Sequence, residues 1–215
     1  MTWRWPWSNP AALNDSRWLV VDVETSGLDP HAAELLAIAG VAIDMTQPQP
    51  QIQLSDSFAV FLRPATPVLD KDNILLHGIG VQSQRDGVEP AQALRDFQAW
   101  AATSPLLGYH SAFDEVMLDR AFDKAGLAKP DNPWLDLAPV LRELWHTNSH
   151  RALDDWLQAF GITCLARHQA AADALATAQL ALLALRRWQE RGHGLAFRPL
   201  QRMAQNARWL HNSAS

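Results

Sequence analysis

The chain has 215 residues, of which 48% are hydrophobic and 19% charged, a composition that favours one folded domain and excludes a disordered chain. The sequence holds no run of roughly 20 apolar residues that would form a membrane helix, and its first residues lack the apolar core of a secretory signal. Because Cys164 is the single cysteine, no internal disulfide or cysteine-based zinc site is possible. We therefore expect a cytoplasmic protein with no membrane partner.

Charge is unevenly distributed along the chain. The net charge of −5 does not by itself indicate a nucleic-acid binder. The stretch from Arg186 to Ser215, however, carries six arginines and one acid. Such a basic segment could contact phosphates or an acidic partner, although arginines are also favoured near the ends of ordinary helices.

The predicted elements follow an irregular arm, residues 1–17, that contains Trp3, Trp5 and Trp7 and that we expect to pack on the domain. Periodicity predicts strands at Trp18–Glu24, Leu35–Ile43, Ser57–Leu62, Pro105–Tyr109 and Trp134–Leu137, and helices at Pro90–Ala102, Ala112–Ala125 and, as the longest, about Gln169–Arg191. Strands first, then helices alternating with short strands, predict an α/β fold with a mixed β-sheet flanked by helices. We divide the chain into the arm, a main domain at 18–192 and a basic C-terminal tail at 193–215.

Two acids interrupt the first apolar strand. Asp22 and Glu24 lie two residues apart, so both carboxylates project from the same face of a strand. Two buried acids side by side repel each other and lose hydration, and a divalent cation would remove both costs. Magnesium and manganese prefer oxygen ligands, so this pair predicts half of a metal site. A strand end where the acids reach water is the alternative.

A third acid, Asp114, follows the predicted strand that ends near Tyr109. The sequence Ser111-Ala-Phe-Asp114 resembles a capping box, with Ser111 as the N-cap. An acid in the first turn stabilises the positive end of a helix, which is a sufficient structural reason for Asp114. The functional alternative is that Asp114 faces Asp22 across the strand ends.

The sequence His168-Gln-Ala-Ala-Ala-Asp173 opens the longest predicted helix. Five helical residues turn through about 140° from one face, so His168 would point away from Asp173 unless it precedes the regular helix. We infer that His168 lies on a mobile loop leading into the helix. A loop histidine beside a metal site is suited to act as a general base.

Together these segments resemble a known family. Asp22-Val-Glu-Thr-Ser-Gly-Leu28, Tyr109-His-Ser-Ala-Phe-Asp114 and His168-Gln-Ala-Ala-Ala-Asp173 are similar, in order, to the three exonuclease motifs of the DEDD superfamily. The match is to its histidine subtype, which includes the proofreading epsilon subunit of bacterial DNA polymerase III, because His168 lies five residues before the last acid. Two further segments match, Leu76-His-Gly-Ile79 and Leu135-Asp-Leu137. Ser111 departs from the usual asparagine, and Ser26 from the common threonine.

The resemblance implies an RNase H-like fold and an exonuclease domain that covers 18–192. It also implies a site with two Mg²⁺ or Mn²⁺ ions and His168 as the base. The implied metal ligands and catalytic residues are Asp22, Glu24, Asp114 and Asp173. Thr25, Leu28, His77 and Phe113 match positions near the terminal nucleotide, and Leu28 could stack against a base.

The implied activity is hydrolysis of phosphodiester bonds from the 3′ end of single-stranded DNA, releasing nucleoside 5′-monophosphates. An RNA-trimming or oligoribonuclease-like exoribonuclease is the alternative substrate class, often a homodimer in this superfamily. A non-catalytic subunit that docks a polymerase catalytic subunit is the alternative of another kind. For that role Phe197, Leu200 and Trp209 of the C-terminal tail would be the anchors.

Overall fold

The computed structural model describes residues 12–147, 149 and 152–212. Within these residues five strands share one sheet: β1 (Arg17–Thr25), β2 (Leu35–Asp44), β3 (Gln51–Phe61), β4 (Leu106–Gly108) and β5 (Trp134–Asp136). The helices of the same residues are α1 (Lys71–His77), α2 (Val81–Asp86), α3 (Pro90–Ala101), α4 (Ala112–Lys124), α5 (Leu137–Trp145), α6 (Leu153–Phe160), α7 (Ala170–Glu190) and α8 (Phe197–Asn212). In this part of the chain no helix is both long enough and apolar enough to cross a bilayer.

The sheet is mixed, as predicted, with strand order β3-β2-β1-β4-β5. Strands β1, β2 and β3 form an antiparallel meander, whereas β4 and β5 run parallel to β1. Because β1, β4 and β5 are parallel, their carboxyl ends meet at one edge of the sheet. The turns that follow these strands therefore lie side by side.

Alternate residues of β1 enter two different cores. Trp18 and Val20 pack in a core with α5, α6, α7 and α8, whereas Leu19, Val21 and Val23 pack with α3 and α4 on the opposite face. This alternation follows from the two-residue period of a strand. Asp22 and Glu24 continue the series of Trp18 and Val20, so both acids project toward the layer that contains α7.

Gly40 of β2 allows a close approach within this sheet. A side-chain β-carbon at Gly40 would lie 2.7 Å from a ring carbon of Trp100 and 2.8 Å from the Val20 carbonyl oxygen. The α3 residue Trp100 also stacks on Phe58 of β3, with ring centroids 5.5 Å apart. Glycine therefore lets α3 pack directly on the strands that support β1.

All but one of the strands and helices predicted with bounds agree with the structure to within two residues. Strand β3 begins at Gln51 rather than Ser57, because its first half is a polar edge strand without an apolar run. Helices α1 and α2 were not predicted. Their local signals are present, since the Asp70 side chain accepts a hydrogen bond from Asn73 N and Gly78 ends α1 with a φ of 74°.

The segment after Gly192 contains α8, which packs on the main core. Phe197 is 0% exposed and Leu200 is 1% exposed, and Phe197 meets Trp18 edge-to-face with ring centroids 5.4 Å apart. Phe197 and Leu200 are therefore unavailable as anchors for a polymerase subunit, and that part of the docking hypothesis is wrong. Trp209 lies outside the residues whose side chains the structure describes, as does the predicted arm up to residue 11. The domain boundaries at 17/18 and 192/193 stay predictions.

Candidate active site

Three carboxylates converge at the carboxyl end of β1. Asp22 and Glu24 are half-buried on the α7 side of the strand, and Asp173 projects from the first turn of α7 with 5% exposure. One oxygen from each of these three side chains lies within 4.8 Å of the other two. The three acids predicted as metal ligands on β1 and α7 therefore share one place in the fold.

Asp114 reaches the same strand from the other helical layer. It lies in the first turn of α4 and is 6% exposed, and its Oδ1 accepts a hydrogen bond of 3.2 Å from the backbone N–H of Val23. Val23 separates Asp22 from Glu24 in β1, so Asp114 is held against the strand between the two acids. Asp114 does not belong to the group of three oxygens within 4.8 Å.

The predicted capping box at the start of α4 is wrong. Ser111 is the N-cap residue, but its side chain makes no capping hydrogen bond. Its backbone is already helical, with a φ of −56° and a ψ of −10°, whereas a capping serine usually has extended backbone angles. The loop before α4 is instead held by Asp136, whose Oδ1 accepts a 3.0 Å hydrogen bond from His110 N–H.

The electrostatics of the site follow from burial and like charge. Burial and then repulsion from Asp114, Glu24 and Asp173 raise the pKa of Asp22 well above its usual value. Burial and then the charge of Asp173 raise the pKa of Glu24 to about 8. Burial is also the main cause that raises the pKa of Asp114 to about 8, against the opposing effect of backbone hydrogen bonds. The cluster thus binds protons at neutral pH unless another cation neutralises it.

The donor set suits a hard divalent cation. Asp22, Glu24 and Asp173 offer carboxylate oxygens close enough to share an ion, and Mg²⁺ and Mn²⁺ prefer oxygen ligands. The raised pKa values of Asp22 and Glu24 show that the fold brings these acids together at an electrostatic cost, which a divalent ion would offset. The residues therefore fit the metal that the sequence motifs imply.

His168 lies beside the cluster, two residues before α7 begins. Its side chain is half-buried, and its backbone has a φ of 61°, in the left-handed region that few residues other than glycine adopt. Its backbone N–H donates a 3.0 Å hydrogen bond to Oδ2 of Asp173. The turn is therefore fixed to a carboxylate of the cluster, while the role of the imidazole as a base stays a prediction.

Arg167 was not singled out from the sequence, although it also contacts Asp173. Its guanidinium forms an ion pair with Oδ1 of Asp173 through Nη1 and a second ion pair with Asp154 of α6 through Nε, at 2.5 Å. The Cys164 thiol donates to the same Oδ1 of Asp173 at 3.3 Å. A basic residue next to a predicted catalytic histidine was the available signal, but nothing in the sequence indicates Asp154 as its partner.

Two predicted substrate residues have hydrogen bonds inside the protein. The hydroxyl of Thr25 donates to the carbonyl of Gly27 at 2.7 Å. His77 is 3% exposed, with Nδ1 accepting from the Ile79 N–H at 2.9 Å and Nε2 2.6 Å from Oδ1 of Asn73. Asn73 in turn donates to the carbonyl of Thr25 at 3.2 Å. These bonds attach α1 to the end of β1, so His77 holds α1 in place beside the site.

The other two predicted substrate residues differ in exposure. Leu28 is 88% exposed in the turn after β1, whereas Phe113 is partly buried against the core on the α4 side. Next to Glu24 lies a cavity of about 250 Å³, lined by His77, Ile79 and the start of α7 among others. The cavity places a largely apolar space beside Glu24, while substrate contacts of Leu28 and Phe113 stay predictions.

In this mixed sheet, acids of the central strand β1 meet acids at the starts of α4 and α7. This arrangement defines the class of RNase H-like, metal-dependent nucleases. Residues 19–181 match the RNase T family, described as exonuclease. The chain therefore belongs to this exonuclease family, and its sequence motifs place it among the 3′–5′ exonucleases of the DEDD superfamily.

Similar proteins agree with this membership. The chain is 32% identical over 171 residues to a PolC-type DNA polymerase III of Listeria welshimeri, and 30% identical over 168 residues to that of Halalkalibacterium halodurans. These matches cover 79% and 78% of this chain but 11% of each polymerase. The chain thus corresponds to about a tenth of the length of these relatives.

Solved structures share the fold at lower identity. Exonuclease I of E. coli in complex with a dT13 oligonucleotide matches with a TM-score of 0.69 and 22% identity, over 81% of this chain and 42% of that one. Cell-death related nuclease 4 matches with a TM-score of 0.67 and 16% identity, over 80% of this chain and 64% of that one. The predicted RNase H-like fold is confirmed.

Proposed function

We propose that the chain is a two-metal-ion 3′–5′ exonuclease that shortens single-stranded DNA one nucleotide at a time and releases nucleoside 5′-monophosphates. The observation that carries the proposal is the convergence of Asp22, Glu24 and Asp173 within 4.8 Å, with Asp114 held against the same strand. Membership of the exonuclease family supports a joint role of these acids in phosphodiester hydrolysis.

The four carboxylates would hold two Mg²⁺ or Mn²⁺ ions. Asp22 would be central, because the charges of Asp114, Glu24 and Asp173 all act on it. Glu24 and Asp173 would complete one side of the site, and Asp114 would complete the other. When bound, such ions supply Lewis acidity to the attacking water and to the departing 3′ oxygen. The same crowding of acids that raises the pKa of Glu24 to about 8 would repel a negatively charged phosphodiester if the acids were ionised, so the ions would also allow the substrate to approach.

His168 is the proposed general base. It accepts a proton from the water whose oxygen attacks the terminal phosphorus, the bond from phosphorus to the 3′ oxygen of the shortened strand breaks, and that oxygen takes a proton from solvent. The hydrogen bond from His168 N–H to Asp173 supports this role, because it fixes the turn that carries the imidazole beside the cluster. The 5′ phosphate then leaves with the terminal nucleoside.

The preference for DNA rests on the relatives rather than on a contact in this chain. The similar polymerases are named as DNA polymerases, and the similar Exonuclease I is in complex with a DNA oligonucleotide. An enzyme selective for RNA would need a contact to the 2′-hydroxyl. A polymerase catalytic subunit and a second copy of the chain are proposed as partners to be tested. A cytoplasmic location is also proposed.

The test is digestion of matched single-stranded DNA and RNA oligomers, labelled at the 3′ or the 5′ end, with Mg²⁺, with Mn²⁺ and with EDTA. We expect 5′-labelled DNA to give a ladder of shortening products in the presence of metal, and 3′-labelled DNA to release labelled mononucleotide at once. Asp22→Asn should be inactive, whereas Asp131→Asn, which removes an exposed acid in the loop before β5, should behave as the wild type. A ladder on RNA alone would support the exoribonuclease alternative. Absence of metal-dependent cleavage would support a non-catalytic role.

A further inference from the structure

Arg167 bridges two acids that belong to different helices. Its Nη1 pairs with Oδ1 of Asp173 at the start of α7, while Nε and Nη2 contact the two carboxylate oxygens of Asp154 on α6, at 2.5 and 3.4 Å. The Arg167 side chain is 27% exposed and that of Asp173 is 7% exposed, whereas that of Asp154 is 62% exposed. One end of the guanidinium thus lies in the carboxylate cluster and the other lies near the surface.

Protein donors contact both oxygens of Asp173. Oδ1 accepts from Arg167 and from the Cys164 thiol, and Oδ2 accepts from the backbone N–H of His168. Yet Asp173 also has an oxygen within 4.8 Å of ligand atoms of Asp22 and Glu24, which is the distance at which a metal ion is shared. A metal ion that takes Oδ1 of Asp173 must therefore replace the guanidinium there, because two cations on one oxygen repel each other.

Arg167 affects the whole cluster as a positive charge. Burial and then Asp173 raise the pKa of Glu24, whereas the Arg167 charge acts in the opposite direction on both Glu24 and Asp22. Arginine stays charged at any accessible pH, so this compensation does not depend on titration of Arg167 itself. The guanidinium therefore supplies part of the neutralisation that a divalent ion would supply.

We propose that Arg167 is a built-in counter-cation of the carboxylate cluster, that a divalent ion displaces it from Asp173, and that Asp154 retains the displaced guanidinium. This inference rests on the proposed metal-dependent function. Arg167 is in this view a positioning residue that weakens metal binding, while Asp154, which lies outside the cluster, strengthens it by drawing the arginine away. The two side chains together set the metal concentration at which the site fills.

The proposal predicts opposite effects for the two partners. Arg167→Gln removes the competing charge, so Mn²⁺ should bind roughly tenfold more tightly, on the order of the coupling of one close charge pair. In Asp154→Asn the guanidinium of Arg167 keeps only Asp173 as an acidic partner. Mn²⁺ binding should therefore weaken by about two- to fivefold, the range for a largely exposed ion pair. Arg167→Lys keeps the charge and should bind Mn²⁺ much more like the wild type than Arg167→Gln does.

The test is titration of the full chain with Mn²⁺ in the absence of nucleic acid. The concentration of free Mn²⁺ is measured at each step by electron paramagnetic resonance, which gives the dissociation constant. Thermal melts verify that each variant is folded. Arg186→Gln is the matched control, because it makes the same charge change at a side chain 79% exposed near the far end of α7. In the Arg167→Gln background, Asp154→Asn should have no further effect, since it acts only through the arginine.

The outcomes separate this inference from the proposed function. Unchanged Mn²⁺ affinity in Arg167→Gln, or equal effects of Arg167→Gln and Arg186→Gln, would overturn the inference. It would also fall if Asp154→Asn weakened binding equally with and without Arg167. In each of these cases, loss of Mn²⁺ binding in Asp22→Ala would still support the proposed metal site. If the wild type itself binds no Mn²⁺, both the site and the inference fail.

Discussion

Replacing Asp114 by asparagine should stabilise the metal-free protein while it removes a proposed metal ligand. Asp114 is 6% exposed, and burial is the main cause that raises its pKa to about 8. Asparagine has nearly the same shape, and its oxygen can still accept the hydrogen bond from Val23 N–H. The substitution therefore removes a buried charge with little change in packing.

The size of the effect depends on pH in a definite direction. Well below pH 3.8 the carboxyl is protonated in both the folded and the unfolded chain, so Asp114 contributes no difference. As pH rises from 3.8 to about 8, the unfolded chain ionises freely and the folded chain does not, so the wild type loses stability over this range. A shift of this size corresponds to roughly 6 kcal/mol at about 1.4 kcal/mol per pH unit. Burying the new amide nitrogen costs about 1–2 kcal/mol, which leaves a gain of about 4–5 kcal/mol.

The assay is thermal unfolding with EDTA between pH 4 and pH 8. At pH 8 Asp114→Asn should melt about 8–20 °C above the wild type, whereas at pH 4 it should melt no higher than the wild type, because the cost of burying the amide nitrogen remains. Asp131→Asn, an exposed acid, serves as the control and should change stability by less than about 0.5 kcal/mol. A variant that melts below the wild type at pH 8, or an equal gain at pH 4 and pH 8, would refute the assignment of Asp114 as a destabilising buried carboxylate.

Three further substitutions test single residues. Asp22→Ala should abolish metal-dependent cleavage without loss of helical circular dichroism, and retained cleavage would remove Asp22 from the site. His168→Ala should lower kcat by roughly 10²–10⁴, the range for a lost general base, so near-normal turnover would refute that role. His77→Ala should lower the free energy of unfolding by about 2–4 kcal/mol, because two buried hydrogen bonds are lost. A urea titration that shows no loss would contradict its structural role.

The acids of the site could be predicted because each is marked by a local pattern. Asp22 and Glu24 interrupt an apolar strand at a spacing of two, and the strand period alone places them on one face. Asp173 lies among alanines at the start of a long helix, where close packing against the sheet brings it toward β1. The parallel arrangement of β1 and β4 brings the start of α4, which carries Asp114, to the same edge of the sheet.

Features that depend on contacts between distant residues could not be predicted in this way. Arg167 and Asp154 are 13 residues apart, with Asp154 in α6 and Arg167 in the segment between α6 and α7, so no periodic pattern connects them. The first half of β3 has no apolar run because it is a sheet edge, and its pairing with β2 is decided by backbone hydrogen bonds. At Ser111 the sequence fitted a capping box, but the backbone there is already helical, which prevents the capping bond.

The most direct test of the metal site is anomalous X-ray diffraction from crystals soaked in Mn²⁺, recorded near the manganese absorption edge. We predict two anomalous peaks at the end of β1, both within coordination distance of Asp22, with Glu24 and Asp173 beside one of them and Asp114 near the other. Peaks elsewhere on the protein, or a cluster whose carboxylates remain bonded only to one another and to Arg167 at saturating Mn²⁺, would contradict the account.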